Sequence, residues 1–114
     1  MDWTELKEES QIEHLREESK NQPVLIFKHS TQCSISRAAL DRLERNWQPE
    51  NAKRVKTYFL DLLSHRKVSN RVADYFNVEH ESPQVLLLED GKPTLVRSHL
   101  SIGFDEIHQA LSTN

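Results

Sequence analysis

The apolar positions along this chain change period several times, and each change marks an element. "DWTEL" reads as a short strand with Trp3 and Glu5 on one face. Ile12, Leu15 and the aliphatic stem of Lys20 then predict a modest helix from about Glu9 to Ser19, with Ser10 as its N-cap. Pro23 stops that pattern. "VLIFKH" is a continuous apolar run with β-branched residues, as expected of a strand buried on both faces. Ile35, Ala39, Leu40, Leu43 and Trp47 recur at spacings of three and four, which places them on one face of a helix. "VKTYFLDL" predicts the next strand, and Val68, Val72 and Phe76 the face of the next helix. "PQVLLLEDGKPTLVRSHL" predicts a hairpin turning at Asp90-Gly91. Phe104, Ile107 and Leu111 share one face of a terminal helix.

The resulting order is β-α-β-α-β-α-β-β-α. Strands alternating with helices define an α/β fold, a central mixed sheet with helices on both faces. The closing hairpin supplies its antiparallel part. In such sheets ligands bind beyond the carboxyl ends of the strands. Cys33 lies at that end of the second strand, inside "KHSTQCSIS".

Composition narrows the class. The 114 residues suit one compact domain spanning 1–114, large enough to bury a core without disulfides or metal. Two glycines and four prolines leave no room for long low-complexity tracts. A net charge of −3 with both signs interspersed argues against non-specific binding to nucleic acid or anionic membranes. The apolar runs are too short to span a bilayer, and the acidic N-terminus lacks the features of a signal peptide. A cytoplasmic location is expected. One cysteine fits a reducing compartment and excludes an intramolecular disulfide.

That cysteine is either a small buried hydrophobe or a reactive group, and its neighbours favour reactivity. Ser30, Thr31, Gln32, Ser34 and Ser36 make the turn polar. The attacking species in sulfur exchange is a thiolate, which a helix N-terminus and nearby cations stabilise. Cys33 falls where the following helix should begin, so unpaired N–H groups are expected to point at its sulfur. Thr31 and Ser34 are candidate caps of that helix. Ser36, one turn on, is placed to donate a hydrogen bond to the thiolate. Lys28, His29 and Arg37 supply positive or ionisable charge nearby. Pro83 stands where a strand begins, a position that needs no ladder N–H.

Together these features resemble the thioredoxin-like superfamily. "PVLIFKHSTQCSIS", "VADYFNVEHESPQVLLLEDGK" and "RSHLSI" are similar to the YtxJ family, the monothiol bacilliredoxins. Ser34 departs from that family's "TCPIS"-like site, in which proline is common at this position. The resemblance implies thiol–disulfide exchange with bacillithiol, a low-molecular-weight thiol of bacteria that lack glutathione. Bacillithiol would be a co-substrate, with no bound cofactor. Cys33 would attack a mixed disulfide on an S-thiolated client protein, keep the bacillithiol, and await a second thiol from outside. Ser36 takes the place of a resolving cysteine and cannot resolve. Pro83 would line the groove, with the backbone of Ser82 holding the substrate by strand-like hydrogen bonds.

His99, ending the last strand on the side of Pro83, is the better histidine for tuning the thiol or the leaving group; His80 reads as a surface histidine. Six histidines and one cysteine show no metal-ligand spacing, and no metal site is assigned. Two other classes stay open. One is an iron–sulfur carrier like the monothiol glutaredoxins, which have glycine and phenylalanine where this chain has Ser34 and Ile35. The other is a non-catalytic thioredoxin-like adaptor whose thiol records oxidation.

Overall fold

The computed structural model describes residues 1–112. Five strands, β1 (Thr4–Glu5), β2 (Val24–His29), β3 (Lys56–Asp61), β4 (Gln84–Glu89) and β5 (Lys92–Ser98), form one sheet in the order β1-β3-β2-β4-β5. The first three run parallel, and β4 and β5 are antiparallel to their neighbours. Five α-helices accompany them: α1 (Ser10–Glu18), α2 (Ser34–Asn46), α3 (Pro49–Arg54), α4 (Arg66–Phe76) and α5 (Phe104–Ser112). A 3-10 turn, His99–Ser101, follows β5.

The expected order holds with two additions, α3 and the 3-10 turn. α3 escapes a pattern search because its six residues, "PENAKR", carry no apolar period. Local chemistry builds it instead: Pro49 opens the first turn, and the Asn51 side chain accepts the Gln48 N–H at 3.1 Å.

The alternation of β2 divides the core. Val24 and Ile26 pack with Ile12 and Leu15 of α1 and with Val68, Val72 and Phe76 of α4. Leu25 and Phe27 pack with Ala39 and Leu43 of α2 and with Ile107 and Leu111 of α5. Every residue of β2 is buried, so the strand has no solvent face. Burying each large apolar side chain stabilises by about 1.5–3 kcal/mol.

Three expected positions shift. Glu9, not Ser10, occupies the cap of α1, and neither side chain caps it. Lys20 is exposed, while Ser19 is buried. Ser19 accepts the Gly91 N–H at 2.9 Å through its hydroxyl and the Asp90 N–H at 2.8 Å through its carbonyl, pinning the hairpin turn to α1. That turn takes positive φ at both Asp90 (53°) and Gly91 (80°), as a two-residue hairpin turn requires. Ile35 is the third. It is 42% exposed, and the inward face of α2 starts at Ser36.

The topology gathers the functional ends. The carboxyl ends of β2, β3 and β5 and the amino end of β4 lie along one edge of the sheet. Cys33 follows β2 and Pro83 precedes β4 on that edge, because Lys28 pairs with Gln84.

Candidate active site

Cys33 occupies the cap position of α2. Its N–H donates to the Ser30 carbonyl at 3.1 Å, closing a tight turn after β2. Its own carbonyl accepts the Arg37 N–H at 3.1 Å, the first rung of the helix. The backbone there is extended, φ −108° and ψ 119°, and the free thiol is half-buried. The expected bonds from the helix N-terminus to sulfur are not made: the Cys33 side chain forms no cap bond. Nor do Thr31 or Ser34 cap the helix. Thr31 is exposed in the turn, and Ser34 is the first helical residue and also exposed. Arg37 is exposed one turn into α2.

Ser36 is fully buried, and its hydroxyl is committed elsewhere than to the thiol. It lies 2.7 Å from His29 Nδ1 and accepts the Ser30 N–H at 3.1 Å. The helical period turns Ser36 inward, against the end of β2. His29 is 5% exposed, with its ring 5.3 Å from that of Phe59 and 6.0 Å from that of Phe27. Burial pushes its pKa below the ordinary 6.5, and Arg37 adds to this. Asp61, Asp41 and Glu44 pull the other way and lose. His29 is therefore neutral at pH 7. His29 Nδ1 and the Ser36 hydroxyl share one hydrogen bond whose direction follows the ring's tautomer, and the hydroxyl oxygen keeps a lone pair for the Ser30 N–H in either case.

Lys28 does not face the thiol. The strand alternation sends it to the opposite side of the sheet, where it is fully buried. Its Nζ donates to the Ser69 carbonyl of α4 at 3.2 Å and lies 3.2 Å from His80 Nδ1. Burial lowers its pKa to about 8. His80, expected at the surface, is instead half-buried against this lysine and against the Ser69 hydroxyl at 3.3 Å. Its pKa is lowered by burial first, then by Lys28 and Arg66. The polar cluster of Lys28, Ser69, His80 and Gln84 has no counterpart among the sequence expectations. The available signal is a lysine continuing an apolar run on a strand with no solvent face, where a charge needs buried partners.

At the same edge of the sheet Ser82 and Pro83, joined by a cis peptide bond, lead into β4. Pro83 is buried, and its carbonyl accepts the His99 N–H at 3.0 Å. His99 sits just past β5 with a left-handed φ of 53°, opening the 3-10 turn that Ser98 and Ser101 close. The expected neighbourhood of His99 and Pro83 is thus present through the backbone. Three large apolar residues stand exposed at this same edge: Ile35 at 42%, Leu63 at 45% and Leu100 at 77%. They follow β2, β3 and β5 respectively.

A lone half-buried thiol at the start of the helix after the central strand, with a cis proline leading into the neighbouring strand, defines a thioredoxin-fold thiol oxidoreductase with one cysteine. The fold is similar to Malassezia sympodialis thioredoxin, with a TM-score of 0.74 at 12% identity, covering 98% of this chain and 90% of that one. It is also similar to Fasciola hepatica thioredoxin, with a TM-score of 0.69 at 16% identity over 96% of each chain. A solved structure described as a candidate oxidoreductase with a thioredoxin fold is 31% identical, with a TM-score of 0.78, over 93% of this chain and 90% of that one. The chain belongs to the monothiol bacilliredoxin BrxC family, whose model matches residues 4–107. A 48-residue stretch is 40% identical to part of an ATP-dependent helicase/nuclease protein of Staphylococcus carnosus, over 42% of this chain but only 4% of that much longer protein. No described helix is long and apolar enough to cross a membrane.

Proposed function

We propose that this monothiol oxidoreductase removes bacillithiol from S-bacillithiolated proteins in the cytoplasm. The Cys33 thiolate attacks the bacillithiol sulfur of the client's mixed disulfide. The client's sulfur leaves as a thiolate and takes a proton, and a Cys33–bacillithiol disulfide forms. A second low-molecular-weight thiol then attacks that disulfide, regenerates the Cys33 thiolate and leaves as a disulfide with bacillithiol. No net oxidation of the enzyme occurs over the cycle, and each step exchanges one S–S bond for another.

The observation that carries the reading is the pairing of a half-exposed Cys33 with a buried Ser36 one turn on, which leaves the enzyme no internal thiol to finish the cycle. Ile35, Leu63 and Leu100, exposed along the edge of the sheet that carries the thiol, favour a protein on one side of the disulfide, because exposed apolar side chains suit a macromolecular surface. The Ser82 backbone holds the client segment, and His99 and Arg37 stand on the rim as donors to the departing thiolate.

Intact-mass spectrometry of protein incubated with an S-bacillithiolated client tests this. Wild type should gain one bacillithiol when no second thiol is supplied, and Cys33→Ser should gain none. Equal rates with an S-glutathionylated client would refute the choice of bacillithiol. A visible chromophore after anaerobic iron and sulfide loading, without any exchange, would favour the iron–sulfur alternative.

A further inference from the structure

Lys28 is the least expected residue in the core. It is fully buried, and among the described residues no carboxylate pairs with it. An ammonium without a counter-charge in a core is costly, so its two contacts must use it as a donor. One is the Ser69 carbonyl in the first turn of α4, and the other is His80 Nδ1. An ammonium only donates, which makes Nδ1 an acceptor and puts the proton of neutral His80 on Nε2. Beside Lys28 in the sheet, Gln84 is 1% exposed and donates its amide to the Glu79 carbonyl at 2.9 Å. Two cross-strand neighbours on one face therefore hold consecutive residues, Glu79 and His80, of the segment that ends at Ser82 and Pro83.

We propose that Lys28 is a positioning residue for protein disulfides: through His80 it tethers the segment leading into Ser82 and Pro83, and so fixes the groove wall opposite Cys33. This rests on the reading that a client segment lies along that wall. A small disulfide reaches the thiol without the wall, so the tether acts on protein clients. Protonation of His80 removes the acceptor and sets a second positive charge 3.2 Å from the ammonium. The charged groups around His80 are Lys28 of β2, Arg66 of α4 and Glu81 of its own segment, and only Glu81 favours the protonated ring.

The test compares an S-thiolated protein with oxidised mercaptoethanol as substrates. Lys28→Met and His80→Leu should raise KM for the protein about tenfold, with a much smaller change in kcat and in the rate with the small disulfide. His80→Asn keeps an acceptor near the Nδ1 position and cannot titrate. It should retain the wild-type KM at neutral pH and hold it level at lower pH, where the KM of wild type should rise as His80 protonates below 6.5. A readout without any client is hydrogen exchange at the His99 amide, which reports on the Pro83 carbonyl. Its exchange should speed up about tenfold in Lys28→Met. Unchanged KM and unchanged exchange in Lys28→Met and His80→Leu would overturn the tether. If wild type reduces no S-thiolated client, the functional reading fails instead, and the exchange rates alone decide the tether.

Discussion

Replacing Ser36 with alanine isolates the contact that couples the active-site helix to the central strand. The hydroxyl is fully buried and serves two groups, His29 Nδ1 at 2.7 Å and the Ser30 N–H at 3.1 Å. His29 is itself 5% exposed, so an unmatched Nδ1 there bears most of the desolvation cost of about 1–3 kcal/mol. Ser30 is only half-buried and recovers part of its loss from water. Alanine's better helix propensity returns a few tenths of a kcal/mol. The net loss is about 1–2.5 kcal/mol, or a fall in Tm of roughly 4–10 °C for a domain of this size. Urea unfolding with an unchanged m-value would measure it. A double-mutant cycle with His29→Phe should return a coupling of about 1 kcal/mol. A loss below about 0.5 kcal/mol, or strict additivity with His29→Phe, would show that the buried hydroxyl does not bind His29 as described.

Ser36→Cys should place a second thiol one helical turn from Cys33 and form an internal disulfide on oxidation, converting the cycle to a dithiol one. Two free thiols by alkylation mass after oxidation would show the helix cannot bring the sulfurs together. Stability should fall as pH drops below 6.5, because burial lowers His29 and His80 in the folded chain and the unfolded chain then binds more protons. Their contribution is fully present above 6.5 and is lost below it, with a slope of at most about 1.4 kcal/mol per pH unit for each. Chemical denaturation between about pH 7 and 5 should show a shallower slope for His80→Asn, and identical slopes would contradict the buried, neutral assignment.

The order of the main elements, the hairpin turn and the placement of Cys33 beyond the second strand are all legible in the chain, because each rests on a local period or a local turn preference. The apolar run of β2 identifies a strand with two buried faces, and Val68, Val72 and Phe76 identify one face of a helix whatever surrounds them. α3 is not legible, since its Pro49 start and its Asn51 bond carry no hydrophobic period. The apolar spacing also sets the phase of α2 one residue off at its start. Ile35 satisfies that spacing, yet Ser36 is the buried residue because it finds hydrogen-bonding partners at the end of β2.

What only the tertiary structure decided is which neighbours these residues acquire. Lys28 and His29 are adjacent in sequence, and both fall near the thiol along the chain. The pleat sends them to opposite faces, one to α4 and His80, the other to α2 and Ser36. Sequence distance cannot show that His80 crosses to Lys28 or that the His99 N–H reaches the Pro83 carbonyl, because those contacts follow from strand pairing and crossover, not from local period. The sequence by itself determined that one thiol stands at the helix start with no internal partner. The packing of the two sheet faces decided that neighbouring residues of one strand reach the thiol's helix at Ser36 on one side and the segment leading into Ser82 and Pro83 at His80 on the other.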